Sequence, residues 1–474
     1  MKKNSYDVVV IGAGSGGLNV ASFFAGIQMR VLLIDKQETS LGGDCLNTGC
    51  IPSKALIHAA SLVKAARTSQ VYGLELSGRT DIKKVMDEIR SKQEVIRAHE
   101  TSDALIKKGM NVRLGHVQFT GKNTLSINDE EIIFSKCVLA TGSCARTLTT
   151  KSDGSVQMFS NESIFDIDVL PEEFIFIGGG PIGCEIGQAF ARFGSHVTML
   201  HTQDRILPRE VSEVSTVVAS SMKEDGVTII SNAVLSEIKE GQVLYITEGS
   251  SEIKSISADA VFVGIGRVLN IEGLDLEKAG IICDEKKTKL SISKYLQTSN
   301  PRVYAVGDVA GSFMFTHAAE EHAKVVINNI LSPFKKKMPS VMPWVTFTDP
   351  QVGTFGTSIE DLQKAGIPYE TLETTFKDDD RAITDDARDG FVRVYLDRKG
   401  RLLGGTMVGE DAGELIGELL LLHSLHLPLS NLFNKVYPYP SKSRINRRLV
   451  LSYMKRKLSE RGKGLVRILF RIFK

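Results

Sequence analysis

Two cysteines separated by four residues, Cys45 and Cys50, are the most chemically suggestive pair in this 474-residue chain. They lie in the run Gly42-Gly-Asp-Cys45-Leu-Asn-Thr-Gly-Cys50-Ile-Pro-Ser-Lys54, where a helical pattern begins. At that spacing two thiols can close a small, strained ring. A helix N-terminus also lowers the pKa of the nearer thiol and so favours the reactive thiolate. Structural zinc would need a second pair of ligands, and the sequence has no other CxxC or HxxxH grouping, so the reading is redox and no metal site is assigned. Cys137, Cys144, Cys184 and Cys283 are not paired in sequence and read as small core residues without a role.

The elements that must position such a pair announce themselves by repetition. Val8-Val-Val-Ile11 runs into Gly12-Ala-Gly14-Ser-Gly-Gly17, then an apolar helix, then Val31-Leu-Leu-Ile-Asp35. Phe174-Ile-Phe-Ile177 runs into Gly178-Gly-Gly180-Pro-Ile-Gly183, a second helix and Val197-Thr-Met-Leu200. Each is a strand–glycine turn–helix–strand unit of the kind that holds a pyrophosphate at a helix N-terminus. The first glycine makes the turn, the second lets the backbone approach phosphate and the third lets helix pack on strand. Two such sites imply hydride traffic between two dinucleotides, a flavin and a nicotinamide.

Composition agrees with a globular, multidomain chain: 42% hydrophobic and 24% charged residues exclude disordered, collagenous and coiled-coil classes. A net charge of +2 gives the molecule no nucleic-acid-binding balance. That average hides an asymmetry. Residues 442–474 hold twelve Lys or Arg against the single acid Glu460, on a body whose acids outnumber its bases. Six cysteines do not make a secreted disulfide scaffold, Asp7-Val-Val-Val-Ile11 follows the first lysines without an apolar signal region, and no window offers about 18 consecutive apolar residues. The expected location is cytoplasmic. Residues 1–148 and 263–335 are expected to form one dinucleotide domain and 149–262 a second. Residues 338–455 read as an α+β domain, and 456–474 as a basic amphipathic tail.

With these motifs in place, residues 6–450 resemble the class I pyridine nucleotide-disulfide oxidoreductases, the family of dihydrolipoamide dehydrogenase, glutathione reductase and mercuric reductase. The resemblance implies an α/β fold of two Rossmann-like domains and a C-terminal α+β dimerisation domain. It also implies FAD with NADPH or NADH as cofactors, and a homodimer. Cys50 would be the thiolate in charge-transfer contact with the flavin, and Cys45 the interchange thiol that meets the acceptor. Lys54 would pair with Glu185 near the flavin. Asp35 would accept from the adenosine ribose, Val117 would touch the adenine, and Thr141 and Gly142 would lie over the FAD backbone. Asp308 would hold the ribityl chain, with Thr316 and His317 beside the ring. Gly266-Arg267 and Asn270 match the signature that returns the chain to the FAD domain, and Pro343-Trp-Val-Thr-Phe-Thr-Asp-Pro350 matches the start of the dimer-interface domain.

Two departures bear on function. Small-disulfide reductases of this family carry a His-Pro motif near the C-terminus, with a Glu five positions after the His; here Tyr439 and Arg444 stand in those places. A phenol of pKa ~10, against ~6.5 for imidazole, is a poor base at neutral pH. Mercuric reductases also use Tyr in this region, but they carry a C-terminal cysteine pair, and no cysteine follows Cys283. NAD-preferring members place an acid after the second strand of the second unit; this chain has His201, with Arg205 nearby, which favours NADPH over NADH.

The expectation is an FAD-dependent NAD(P)H oxidoreductase. It passes electrons through a Cys45–Cys50 disulfide to a small molecule or metal ion, such as a metal, a quinone or a disulfide. The alternatives are a dihydrolipoamide dehydrogenase with an atypical acid–base residue and a redox-sensing flavoprotein recruited by its tail. In that tail Leu465, Ile468, Leu469, Ile472 and Phe473 share one helical face and Arg467, Arg471 and Lys474 another. Gly462 and Gly464 are expected to hinge it from the body. Residues 459–474 suit either an anionic membrane surface or a docking site on the partner subunit.

Overall fold

The computed structural model describes residues 4–75, 77–286, 288–457 and 460–473, the last stretch without the side chains at 460–463 and 465. The chain divides into two compact units. One comprises Met1–Ile206 and Asp225–Ser340, the other Leu207–Glu224 and Val341–Lys474.

In the first unit, the strand Ser5–Ile11 lies parallel to Val31–Asp35 on one side and to Glu130–Leu139 on the other. Asn111–Leu114 and Val303–Ala305 extend this parallel sheet at its two ends, and a hairpin of Val117–Gly121 and Thr124–Ile127 continues it antiparallel. A parallel sheet is covered on both faces, which is why these strands are continuous apolar runs. Val9 and Ile11 join one core cluster while Val8 and Val10 join the opposite one, the two-residue alternation of a strand buried on both faces.

The second glycine repeat builds another parallel sheet in the order Thr228–Ile230, His196–Leu200, Glu173–Ile177, Ala260–Val263 and Gln157–Phe159. Phe174, Phe176, Phe190 and Phe262 pack within it ring against ring. A meander of Ala233–Lys239, Gln242–Thr247 and Ile253–Ser257 completes this half. These are two Rossmann-like domains.

The second unit is α+β. Five antiparallel strands run in the order Trp344–Thr346, Gln351–Gly356, Leu402–Gly409, Phe391–Leu396 and Glu370–Thr375. The helices Gly417–Ser424 and Arg444–Lys457 bury Leu419, Leu422, Ile445 and Leu449 against them. Leu207–Glu224, inside the stretch read as the nicotinamide domain, groups with this unit. Buried Glu210 accepts from Trp344 Nε1 at 2.6 Å and from Thr354 Oγ1 at 2.7 Å, and Arg393 meets Glu213 at 2.9 Å.

The tail forms the helix Glu460–Ile472, with Gly462 and Gly464 inside it. The expected glycine hinge is therefore corrected: both glycines lie within the helix, and no proline nearby interrupts it. The side chain of Leu465, and Lys474 altogether, fall outside the described residues.

Candidate active site

Both glycine turns adopt the geometry that the spacing implied. Gly12 (φ +105°) and Gly178 (φ +114°) sit in the left-handed region, where a Cβ would overlap the carbonyls of Ala140 and Gly264. Gly17 and Gly183 face the carbonyls of their own turns, again too close for a side chain. Gly14 and Gly180 are the residues before the helices Ser15–Gly26 and Pro181–Phe193; a Cβ at Gly180 would meet nothing within 4 Å, and one at Gly14 only the Gly43 Cα at 3.7 Å. Unpaired N–H groups and the positive end of each helix therefore face a cleared space of the kind a pyrophosphate occupies.

Around the first cradle, Asp35 Oδ2 accepts from Ala13 N at 2.6 Å and Oδ1 from Lys36 N at 2.7 Å, and Ser40 also donates to it. Gly115 N reaches the Asp35 carbonyl at 2.8 Å, so Val117, two residues on, begins its strand beside the same edge. Thr141 Oγ1 is buried without a hydrogen-bond partner among the described residues, and Gly142 has open space where a side chain would stand. An orphaned hydroxyl between a glycine cradle and an open backbone fits FAD at this position.

The residue that sequence reasoning missed here is Ser143. Its hydroxyl donates to Asp308 Oδ2 at 2.5 Å and accepts from Arg267 Nε at 2.6 Å, while Arg267 Nη2 reaches Asp44 at 2.8 Å. Burial raises the Asp308 pKa, and the Ser143 bond and Arg267 pull it back. Gly266 (φ +109°) turns the chain into the strand Arg267–Leu269, which pairs with Ser143–Ala145. Asn270 closes the same seam, its N donating to the Gly142 carbonyl and its Nδ2 to that of Thr141, each at 3.0 Å.

The cysteines sit on two consecutive helices, Gly43–Asn47 and Cys50–Thr68. Buried Gln93 donates to the carbonyls of Leu46 and Asn47 at 2.8 and 2.9 Å, and Arg97 reaches Asn47 Oδ1 at 2.8 Å, which fixes the first helix. Both thiols are free, with Cys50 exposed and Cys45 half-buried. They share one proton. A hydrogen bond from Cys45 lowers the Cys50 pKa to about 6, with Thr316 and Lys54 adding to that effect against burial and Asp44. The same bond, with burial, pushes Cys45 far above the ordinary thiol range. Thr316 opens the helix Thr316–Leu331 with its hydroxyl 3.2 Å from Cys50 Sγ, while His317 stacks on Phe315. One turn along the cysteine helix, Lys54 Nζ meets Glu185 Oε2 at 2.7 Å; Glu185 is buried on Pro181–Phe193, behind the second glycine turn. Cys45, Cys50, Lys54, Glu185 and Thr316 thus form one cluster.

At the second cradle the structure turns His201 inward. Its Nδ1 accepts from Gly179 N at 3.0 Å, its Nε2 is buried without a hydrogen bond among the described residues, and burial lowers its pKa. Arg205 pairs with the neighbouring Asp204 at 3.0 Å. In the second unit Tyr439 is exposed, and the Arg444 guanidinium lies 5.0 Å from its ring centroid. No helix of the described residues is long and apolar enough to cross a membrane.

Comparison with known proteins places this geometry. A family profile described as "Pyridine nucleotide-disulphide oxidoreductase" matches residues 6–323, and that of the family's dimerisation domain matches residues 342–448. Dihydrolipoyl dehydrogenase of Thermus scotoductus is 32% identical over 450 residues, covering 93% of this chain and 95% of the relative. That of Mycoplasma genitalium is 30% identical over 450 residues, covering 92% and 96%. Among solved structures, the HOCl-induced flavoprotein disulfide reductase RclA from Escherichia coli superposes with a TM-score of 0.82 at 25% identity, covering 94% of this chain and 99% of RclA. Its Cu(II) complex gives 0.83 at 26%, covering 95% and 99%.

Proposed function

This chain belongs to the pyridine nucleotide-disulphide oxidoreductases, enzymes that use FAD and NAD(P)H, and from that premise we propose that its electron acceptor is one that needs no imidazole base: a metal ion, a quinone or a disulfide of acidic thiols. The observation that carries this reading is Tyr439, exposed beneath Arg444 in the place of a His–Glu pair.

Bound FAD supplies two-electron transfer between the nicotinamide and the Cys45–Cys50 disulfide. The chain's own residues then manage charge and protons. Cleaving the S–S bond takes up two electrons and leaves Cys50 as thiolate, held by the Cys45 hydrogen bond, the Thr316 hydroxyl and the Lys54 charge, with one proton on Cys45. Attack by Cys45 on a substrate disulfide requires that proton to leave. Imidazole would accept it near neutrality, whereas a phenol already protonated there cannot. A soft metal ion takes thiolate sulfur directly. Two one-electron metal ions are reduced as the S–S bond re-forms, and the thiol proton goes to solvent. The description of RclA as a Cu(II) complex favours the metal member of the set.

For the nicotinamide we place NADPH ahead of NADH. The position after the strand His196–Leu200 holds no acid, and Arg205 is available to a 2′-phosphate, although Asp204 competes for it. A second reading, lipoamide turnover, is favoured by relatives described as dihydrolipoyl dehydrogenases.

Steady-state NADPH and NADH oxidation by the FAD-loaded protein against Cu²⁺, Hg²⁺, a short-chain quinone, glutathione disulfide and lipoamide separates the two. We expect lipoamide at least about a hundredfold below a His-containing relative, the range general acid–base catalysis supplies. Lipoamide turnover at that relative's rate would overturn the proposal.

A further inference from the structure

The helix Glu460–Ile472 presents more apolar surface than a protein interface of one face requires. At 3.6 residues per turn, Ile468, Ile472, Leu469, Phe473, Val466 and Phe470 spread over ~200° of the helix circumference, and Arg467 and Arg471 occupy the remaining arc about 40° apart. Every one of those six apolar residues is exposed, from 43% at Leu469 to 84% at Phe473. A helix that packs on a protein core needs a stripe of about 100°, so docking on one protein face would leave a Phe or an Ile in water. A helix lying in the plane of a bilayer interface buries an arc of this width at once.

Charge selects the lipid. Residues 442–474 carry twelve Lys or Arg against one acid. Arg456 and Lys457 lie near Glu370, at 3.8 Å each, whereas Arg467 and Arg471 border the apolar arc on the helix itself. Cations at that border meet the phosphate level of an anionic surface while the apolar arc enters the acyl boundary.

We propose that this helix docks the enzyme in the plane of an anionic phospholipid surface. The dimerisation domain makes the enzyme a homodimer, so each molecule brings two such helices and the second binds at high effective concentration. This inference is independent of the identity of the electron acceptor.

The test uses the full-length, FAD-loaded protein in flotation with vesicles of phosphatidylcholine alone or mixed with phosphatidylglycerol. We expect binding only to the mixed vesicles, weakened by added salt. Arg467→Gln and Arg471→Gln should each reduce partitioning about fivefold, the equivalent of ~1 kcal/mol per cation near the surface. Ile468→Asp with Phe470→Asp, and deletion of residues 459–474, should abolish it while flavin content and dimer mass are unchanged. Full-length protein that ignores anionic vesicles at low salt overturns the proposal. So does equal binding to both vesicle types, and so does a deletion that dissociates the dimer, which would assign the helix to the partner subunit.

Discussion

Thr316→Val removes the hydroxyl placed against the Cys50 sulfur and leaves a side chain of nearly the same shape. With Cys50 as a thiolate, only Thr316 can donate across the 3.2 Å contact. A hydrogen bond to a charged group contributes ~1.5–3 kcal/mol, and ~1.4 kcal/mol is one pKa unit, so its loss should raise the Cys50 pKa by about one to two units. Starting from about 6, the thiolate fraction at neutral pH should fall roughly two- to tenfold. The measurement is the pH profile of iodoacetamide alkylation at Cys50, read by peptide mass, in FAD-loaded protein carrying Cys45→Ser, where one thiol of the pair remains and the serine hydroxyl still donates. A Thr316→Val midpoint within a few tenths of a unit of its parent would refute the assignment of the hydroxyl as donor.

Three further outcomes can be checked. Gly12→Ala should yield protein without yellow colour, because its Cβ would meet the Ala140 carbonyl in a backbone region that alanine avoids; flavin absorbance per chain reads this directly. Tyr439→His with Arg444→Glu should raise lipoamide turnover by about ten- to a hundredfold, measured against unchanged activity with a metal ion. Stability of the reduced protein should rise between about pH 6 and pH 9, where the unfolded chain holds a proton on Cys50 that the folded one has lost. It should decline above pH 9, where folded Cys45 keeps a proton that the unfolded chain gives up; denaturant midpoints across pH report both signs.

Spacing made much of this legible. Gly12 and Gly178 stand where only glycine fits, so a pattern of residue types reported a pattern of backbone angles. Lys54 and Glu185, 131 positions apart, meet because each lies at a fixed offset from a motif that fixes its helix. Ser143 carried no such mark. Its role depends on two short strands pairing so that Arg267 and Asp308 converge on it while Arg267 also holds Asp44, a juxtaposition that exists only in three dimensions. His201 was legible only as the absence of an acid; that its ring turns inward and accepts from the Gly179 N–H is set by the fold of the turn. Asp204 could have been read beside Arg205, since adjacent opposite charges often pair.

Glu210 gives the dimerisation half an architecture that no single cut can release. The polypeptide leaves the first unit after Ile206, contributes Leu207–Glu224 to the second, and returns at Asp225 before crossing again at Val341. A fragment beginning at Val341 would take Glu210 from the indole N–H of Trp344, and would leave Thr354 with Thr406 and Arg393 with Glu373 as their remaining partners. Grafting this half onto another enzyme, or permuting the chain, must therefore carry residues 207–224 with it. Trp344 is the chain's sole tryptophan, so its fluorescence is a one-site gauge of whether that borrowed segment is seated.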